Sequence, residues 1–120
     1  MKRILVVEDD VHLRKLLKEE LLDNGYEIYT ASNGKEAITI LNLDNDQKPD
    51  LIILDIRMPK MDGLETMGNI LKSKHDLPVI IHTAYANYKN DVMAMAADAY
   101  IIKSHDLSEL KATVHDLLGE

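Results

Sequence analysis

The sequence predicts a single α/β domain of the (βα)5 type: a five-stranded parallel sheet with helices on both faces. Three observations predict it. Short aliphatic runs recur along the chain with helical patterns between them, the alternation that gives parallel strands joined by right-handed crossovers. Two of the runs, Ile4-Leu5-Val6-Val7 and Leu51-Ile52-Ile53-Leu54, contain no polar residue and read as strands buried on both faces. Both stop at acid: Glu8, Asp9 and Asp10 after the first, Asp55 after the second. Open parallel sheets bind ligands outside the carboxyl ends of their strands, so these carboxylates mark a site.

The elements follow in order. After the first strand, Leu13, Leu16, Leu17 and Leu21 have i, i+3, i+4, i+8 spacing, with Asp10 as cap or solvated acid and Asn24-Gly25 as the stop. Tyr26-Glu27-Ile28-Tyr29-Thr30 alternates and reads as an edge strand. Asn33 caps the second helix with Glu36 as its capping-box partner, and Ala37, Ile38 and Leu41 form the inner face. Asp44 to Lys48 reads as a solvated loop before the third strand. Asp62-Gly63 opens the third helix, which carries Leu64, Met67, Ile70 and Leu71. The fourth strand is Pro78 to Thr83. A weakly patterned, Ala- and Met-rich helix is expected over about 88–96, then a fifth strand, Ala99 to Lys103. In the last helix Asp106 is the expected cap with Glu109 three residues on, and Leu107, Leu110, Val114, Leu117 and Leu118 face inward.

With 120 residues the chain is expected to be one domain, 1–120, large enough to bury a core without staples. A net charge of -7 argues against direct nucleic-acid binding. The absence of cysteine excludes disulfide and thiolate chemistry. MKRILVVEDD does not read as a signal peptide, because its short apolar run meets an acidic cluster. No apolar run approaches the ~20 residues that span a bilayer. A cytoplasmic location, with no membrane contact, is the expectation.

Parallel strands put their C-terminal ends on one edge, so topology gathers Glu8, Asp9, Asp55, Thr83 and Lys103. Three carboxylates so placed repel and raise one another's pKa, a conflict that a divalent cation removes. The donors are hard oxygens, which favour Mg2+ over Zn2+. Lys103 offers a point charge suited to phosphate and the Thr83 hydroxyl a hydrogen-bond donor. A carboxylate can itself be the nucleophile of phosphoryl transfer, and Asp55 is the best placed, at the end of the most apolar strand.

The stretches ILVVEDD, LIILDIRMPKMDG, the strand ending HTA, and AYIIK resemble, in this order and over the full length, the receiver domain of the two-component response-regulator family. The resemblance implies the flavodoxin/CheY-like fold and Mg2+-dependent acceptance of a phosphoryl group on Asp55. The donor would be a sensor histidine kinase or His-phosphotransfer protein of a phosphorelay. It implies further that Asp9 binds Mg2+ directly, Glu8 mainly through water, and the Arg57 backbone carbonyl as another ligand. Thr83 and Lys103 would bond the phosphoryl group, and Tyr100 would be the switch aromatic that rotates inward as Thr83 moves. Pro59 and Gly63 match the loop after the acceptor. Such a domain is a switch that catalyses only its own phosphorylation and dephosphorylation, not an enzyme in the ordinary sense.

The chain departs from the family pattern in places. Ser104 follows Lys103 where proline is usual, so a trans bond and a reshaped loop are expected. Ala96 stands where glycine often ends the fourth helix, so that helix is expected to end differently or to be poorly ordered. Arg57 and Tyr85, two residues beyond Asp55 and Thr83, flank the family's route for hydrolytic water and are expected to slow autodephosphorylation. His82 reads as a hydrogen-bonded core or interface histidine, and His12, His75, His105 and His115 as surface residues. Met58, Met61 and Met67 read as loop and core filling.

Other functions were weighed. A phosphatase or phosphotransferase with an aspartyl-phosphate usually has a second acid two residues past the nucleophile, where this chain has Arg57. A flavodoxin-like nucleotide binder needs a Gly- or Ser/Thr-rich loop after the first strand, and this one is acidic. A non-phosphorylated, receiver-like binding module is disfavoured by the intact five-residue set. The output partner is expected on the face of helix 4, strand 5 and helix 5, with a phosphorylation-linked dimer as one outcome. The sequence stops just after the fifth helix and is expected to lack an effector, whether it stands alone or belongs to a longer protein.

Overall fold

In the computed structural model, which describes residues 1–42, 48–56, 62–72 and 76–119, five strands form one sheet. They are β1 (Arg3–Val7), β2 (Glu27–Ala31), β3 (Leu51–Leu54), β4 (Val79–Thr83) and β5 (Ala99–Ile102), in the order β2-β1-β3-β4-β5, all parallel. β3 is central and β2 is at an edge, as the alternation of β2 predicts.

The pleat sends alternate residues to opposite faces. Ile4, Val6, Leu51, Ile53 and Ile80 pack with Leu17 and Leu21 of α1 (Val11–Asp23) and Leu110 and Val114 of α5 (Ser108–Leu117). Leu5, Val7, Ile52, Leu54 and Val79 pack with Ala37 and Leu41 of α2 (Gly34–Leu41) and Met67 and Ile70 of α3 (Gly63–Lys72). Ile56, Ile81 and Ala94 of α4 (Val92–Met95) extend that second face toward the C-terminal edge. The all-apolar strands are therefore covered on both sides, which is why they lack polar alternation.

Local chemistry fixes the helix starts. Asp10 accepts from the amides of His12 and Leu13 at 2.9 and 3.2 Å, and so is the α1 cap. Asn33 Oδ1 accepts from the Glu36 amide at 2.8 Å, while the Glu36 carboxylate receives the Ser32 hydroxyl at 2.9 Å. Asp62 Oδ1 accepts from the Glu65 amide at 2.8 Å and opens α3. α5 begins one residue later than a cap at Asp106 requires. Asp106 Oδ1 takes the Ser108 amide at 2.9 Å, and Leu107 occupies the cap position with no side-chain bond.

One other expectation, the length of the fourth helix, is corrected, while the ending at Ala96 and the trans bond after Lys103 are as expected. Leu16 and Leu71 are 44% and 46% exposed, so each belongs to the solvent edge of its apolar stripe. The fourth helix is shorter than 88–96: a 3-10 turn over Ala86–Tyr88 precedes a single turn, Val92–Met95, capped by Asp91. Ala96 follows with φ -77 and ψ -13, ordinary right-handed backbone, so the chain leaves α4 without the left-handed turn that a glycine would serve. The peptide bonds are trans throughout the described residues, including Lys103–Ser104. His12, His105 and His115 are exposed, whereas His75, Met58, Met61 and 44–47 lie outside the described residues.

Candidate functional site

The ladder continues one residue past β1, β3 and β5, and this delivers the site. The Glu8 amide bonds the Ala31 carbonyl at 3.0 Å, the Asp55 amide bonds the Val7 carbonyl at 3.1 Å, and the Lys103 amide bonds the Thr83 carbonyl at 2.7 Å. Glu8, Asp55 and Lys103 thus inherit the register of β1, β3 and β5 and meet at the C-terminal edge. Thr83, the last residue of β4, lies between them in sheet order and is fully buried.

Lys103 Nζ lies 2.8 Å from Asp55 Oδ2 and 2.9 Å from Glu8 Oε1. Glu8 and Asp55 are 2% and 4% exposed, so two carboxylates are held out of water by one half-buried ammonium. Burial pushes the Glu8 carboxyl up to about 7; the Lys103 bond opposes this and the Asp55 charge adds to it. Burial pulls the Lys103 ammonium down, but its bonds to Asp55 and Glu8 more than offset that, and its pKa is raised. Asp9, exposed, brings a third carboxylate: oxygens of Glu8, Asp9 and Asp55 lie within 4.8 Å of one another. Three acids against one lysine leave a negative, all-oxygen cluster. That donor set and charge fit a Mg2+ ion, which takes one or two carboxylates and fills its remaining positions with water and phosphate oxygens.

Neighbouring contacts shape the edge. The Arg14 guanidinium donates to the Glu8 carbonyl at 2.8 Å, tying the first turn of α1 to the acidic loop. The Asp10 amide donates to Glu8 Oε2 at 3.2 Å. Thr83 Oγ1 accepts from the Tyr85 amide at 3.2 Å, and the half-buried Tyr100 hydroxyl donates to the Tyr85 carbonyl. The backbone of one residue, Tyr85, therefore lies between the Thr83 and Tyr100 side chains, its amide bonded to the first and its carbonyl to the second. Tyr85 itself is exposed and packs edge-on against Tyr88.

Of the residues singled out in the sequence, Glu8, Asp9, Asp55, Thr83 and Lys103 come together, and Tyr85 and Tyr100 flank them. Arg57 and Pro59 lie outside the described residues. His82 is buried, but its Nδ1 has no hydrogen-bond partner, so the expectation of a bonded histidine is corrected. Ile80 and Ile101 flank it on that face of the sheet, and Ser104, Asp106 and Glu109 line the cavity beside it. Burial holds its pKa down to about 4, helped by the Lys103 charge, so the ring is neutral at pH 7. The Arg14 contact was not foreseen; a cation on the first turn after an acidic loop is its one sequence trace.

The fold and site define a class: a parallel α/β domain with an acidic, cation-binding cluster and a lysine at its carboxyl edge. Residues 4–115 match the model of the response regulator receiver domain, and the chain belongs to that family. It is similar to response regulator protein TrrA of Thermotoga maritima, solved with Mg2+-BeF, at 50% identity and a TM-score of 0.91, covering 98% of this chain and 99% of that one. It is equally similar, at 50% identity and a TM-score of 0.89, to TrrA in a complex with histidine kinase ThkA, covering 99% of this chain and all of that one. Among curated proteins it is 37% identical to the probable transcriptional regulator ycf27 of Cyanophora paradoxa, matching 98% of this chain and 48% of that protein. Regulatory protein AtoC of Escherichia coli is 38% identical, again over 98% of this chain but 25% of the relative. The chain thus spans half or less of these curated relatives. Among the described residues, no helix is long and apolar enough to cross a membrane.

Proposed function

We propose that residues 1–120 form one phospho-accepting receiver domain that acts in the cytoplasm, taking a phosphoryl group onto Asp55 from a histidine kinase or phosphotransfer protein. The observation that carries this reading is the buried Asp55 carboxylate held 2.8 Å from Lys103 Nζ, with Glu8 and Asp9 oxygens within 4.8 Å. An Asp55 oxygen attacks phosphorus, a new P–O bond forms, and the bond to the donor's nitrogen or acyl oxygen breaks, leaving with its electron pair. Glu8, Asp9, Asp55 and the Arg57 carbonyl would hold Mg2+, which supplies positive charge against the transferring phosphoryl oxygens. Lys103 and the Thr83 hydroxyl would meet the same oxygens. Lys103 lies beside Asp55 before transfer, whereas the Thr83 hydroxyl, whose oxygen accepts from the Tyr85 amide, would have to turn to donate to the new acceptor.

That turn would carry the signal. As Thr83 turns, the Tyr85 backbone would shift, and with it the Tyr100 hydroxyl bonded to its carbonyl. The output would be read on the face of α4, β5 and α5, by a partner or a second phosphorylated copy. Water returns Asp55 to its starting state by displacing phosphate, and the exposed Tyr85 ring, with Arg57, would slow that attack. The domain therefore catalyses only its own phosphorylation and dephosphorylation. The kinase reading draws on TrrA, which was solved with ThkA. The test is incubation with acetyl phosphate and Mg2+, read by intact mass. One added phosphoryl group, lost in Asp55→Asn and with EDTA, is expected; an unchanged mass would refute the proposal.

A further inference from the structure

Gly63, the first residue of α3, is buried against the backbone of Asp55. Its amide donates to the Ile56 carbonyl at 2.7 Å, which closes the β3–α3 connection onto the end of β3. A Cβ built on Gly63 would lie 2.0 Å from the Asp55 carbonyl oxygen and 2.6 Å from the Ile56 Cα. Those atoms are main chain and cannot swing aside as a side chain can. The need for glycine is not conformational, because among the described glycines positive φ occurs at Gly25 and Gly119 and not at Gly63. Alanine is the better helix former, so helix propensity alone would favour replacement.

We propose that Gly63 is a positioning residue for phosphorylation: its missing side chain lets α3 press on the Asp55 backbone and fixes the acceptor carboxylate against Lys103 and the metal cluster. The inference rests on Asp55 being the acceptor. A methyl at Gly63 has to push the Asp55 main chain away. The carboxylate then loses its place 2.8 Å from Lys103 Nζ. Displacements of about 1 Å at a reacting group cost on the order of a hundredfold in rate. Gly68, in the same helix, gives the control: its Cβ would meet nothing nearer than the Met93 Sδ at 3.8 Å.

The experiment compares wild type, Gly63→Ala and Gly68→Ala. It measures the first-order rate of acetyl phosphate labelling at saturating Mg2+, the Mg2+ dissociation constant, and the folded fraction by circular dichroism. Gly68→Ala is expected to match wild type. Gly63→Ala is expected to lose at least tenfold in rate and to bind Mg2+ more weakly, per folded molecule. A loss of folding alone would lower the labelled fraction and leave the rate of the folded molecules unchanged, so the rate constant separates the two roles. Labelling of Gly63→Ala within twofold of wild type overturns the inference; failure of wild type to label overturns the acceptor reading instead. Should Gly63→Ala not fold, amide exchange of Gly63 in wild type decides. Protection up to global unfolding supports the close approach, and rapid exchange refutes it.

Discussion

Glu8 and Asp55 each lose their water on folding, and the Lys103 ammonium stands between them, 2.9 and 2.8 Å away. Removing that cation leaves two buried carboxylates facing each other. Breaking a buried pair costs about 3–5 kcal/mol, less where one partner keeps some solvent, as Lys103 does. Lys103→Met is therefore expected to lose about 2 to 3 kcal/mol in metal-free urea unfolding, and saturating Mg2+ should recover much of it by mass action. A metal-free stability equal to wild type would show that Glu8 is simply protonated in its place.

His82 makes a second prediction at the residue scale. Its folded pKa, about 4, lies below the ordinary 6.5, so the unfolded chain takes up a proton first as pH falls. Stability from this group is complete above pH 6.5 and declines down to about pH 4. The decline amounts to about 2 kcal/mol by pH 5. His82→Leu, which also removes the unpartnered Nδ1, should match wild type at pH 7.5 and exceed it by roughly that amount at pH 5 in urea unfolding. Parallel pH profiles for the two proteins would contradict the burial argument.

At the scale of elements, α4 is where the structure departs most from the sequence reading. Its single turn ends at Ala96 in right-handed geometry, and Val92 and Met95 are largely exposed beside it. Glycine at position 96 would gain nothing from its conformational freedom there. Ala96→Gly is expected to destabilise the chain by about 0.5–1 kcal/mol, measured by thermal unfolding. Stabilisation would mean that the backbone at 96 is left-handed after all. The other elements were legible because burial wrote them plainly. Strands covered on both faces cannot carry polar residues, and Asp10, Asn33 and Asp62 each satisfy helix amides that have no other partner. Leu16, Leu71 and the length of α4 were not legible, since periodicity gives an apolar stripe but not its width or where tertiary contacts cease.

For the whole molecule, parallel topology turns separated sequence into one site. Glu8 and Lys103 are 95 residues apart in the chain and 2.9 Å apart in space. The acids, Thr83 and Lys103 could be read from the sequence because each follows or ends an aliphatic run, and every such run ends at the same edge. The contacts between them could not. The Arg14 bond to Glu8, the two backbone bonds of Tyr85 and the approach of Gly63 to Asp55 depend on distances that no residue pattern encodes.

The central claim is that Asp55 is the nucleophile. Protein labelled with acetyl phosphate and Mg2+ can be reduced with borohydride, which converts an aspartyl-phosphate to homoserine, and then digested for peptide sequencing by mass spectrometry. The account predicts homoserine at position 55 and nowhere else. Homoserine at position 9, a reduced glutamate at position 8, or labelled protein that yields no reduced residue would contradict it.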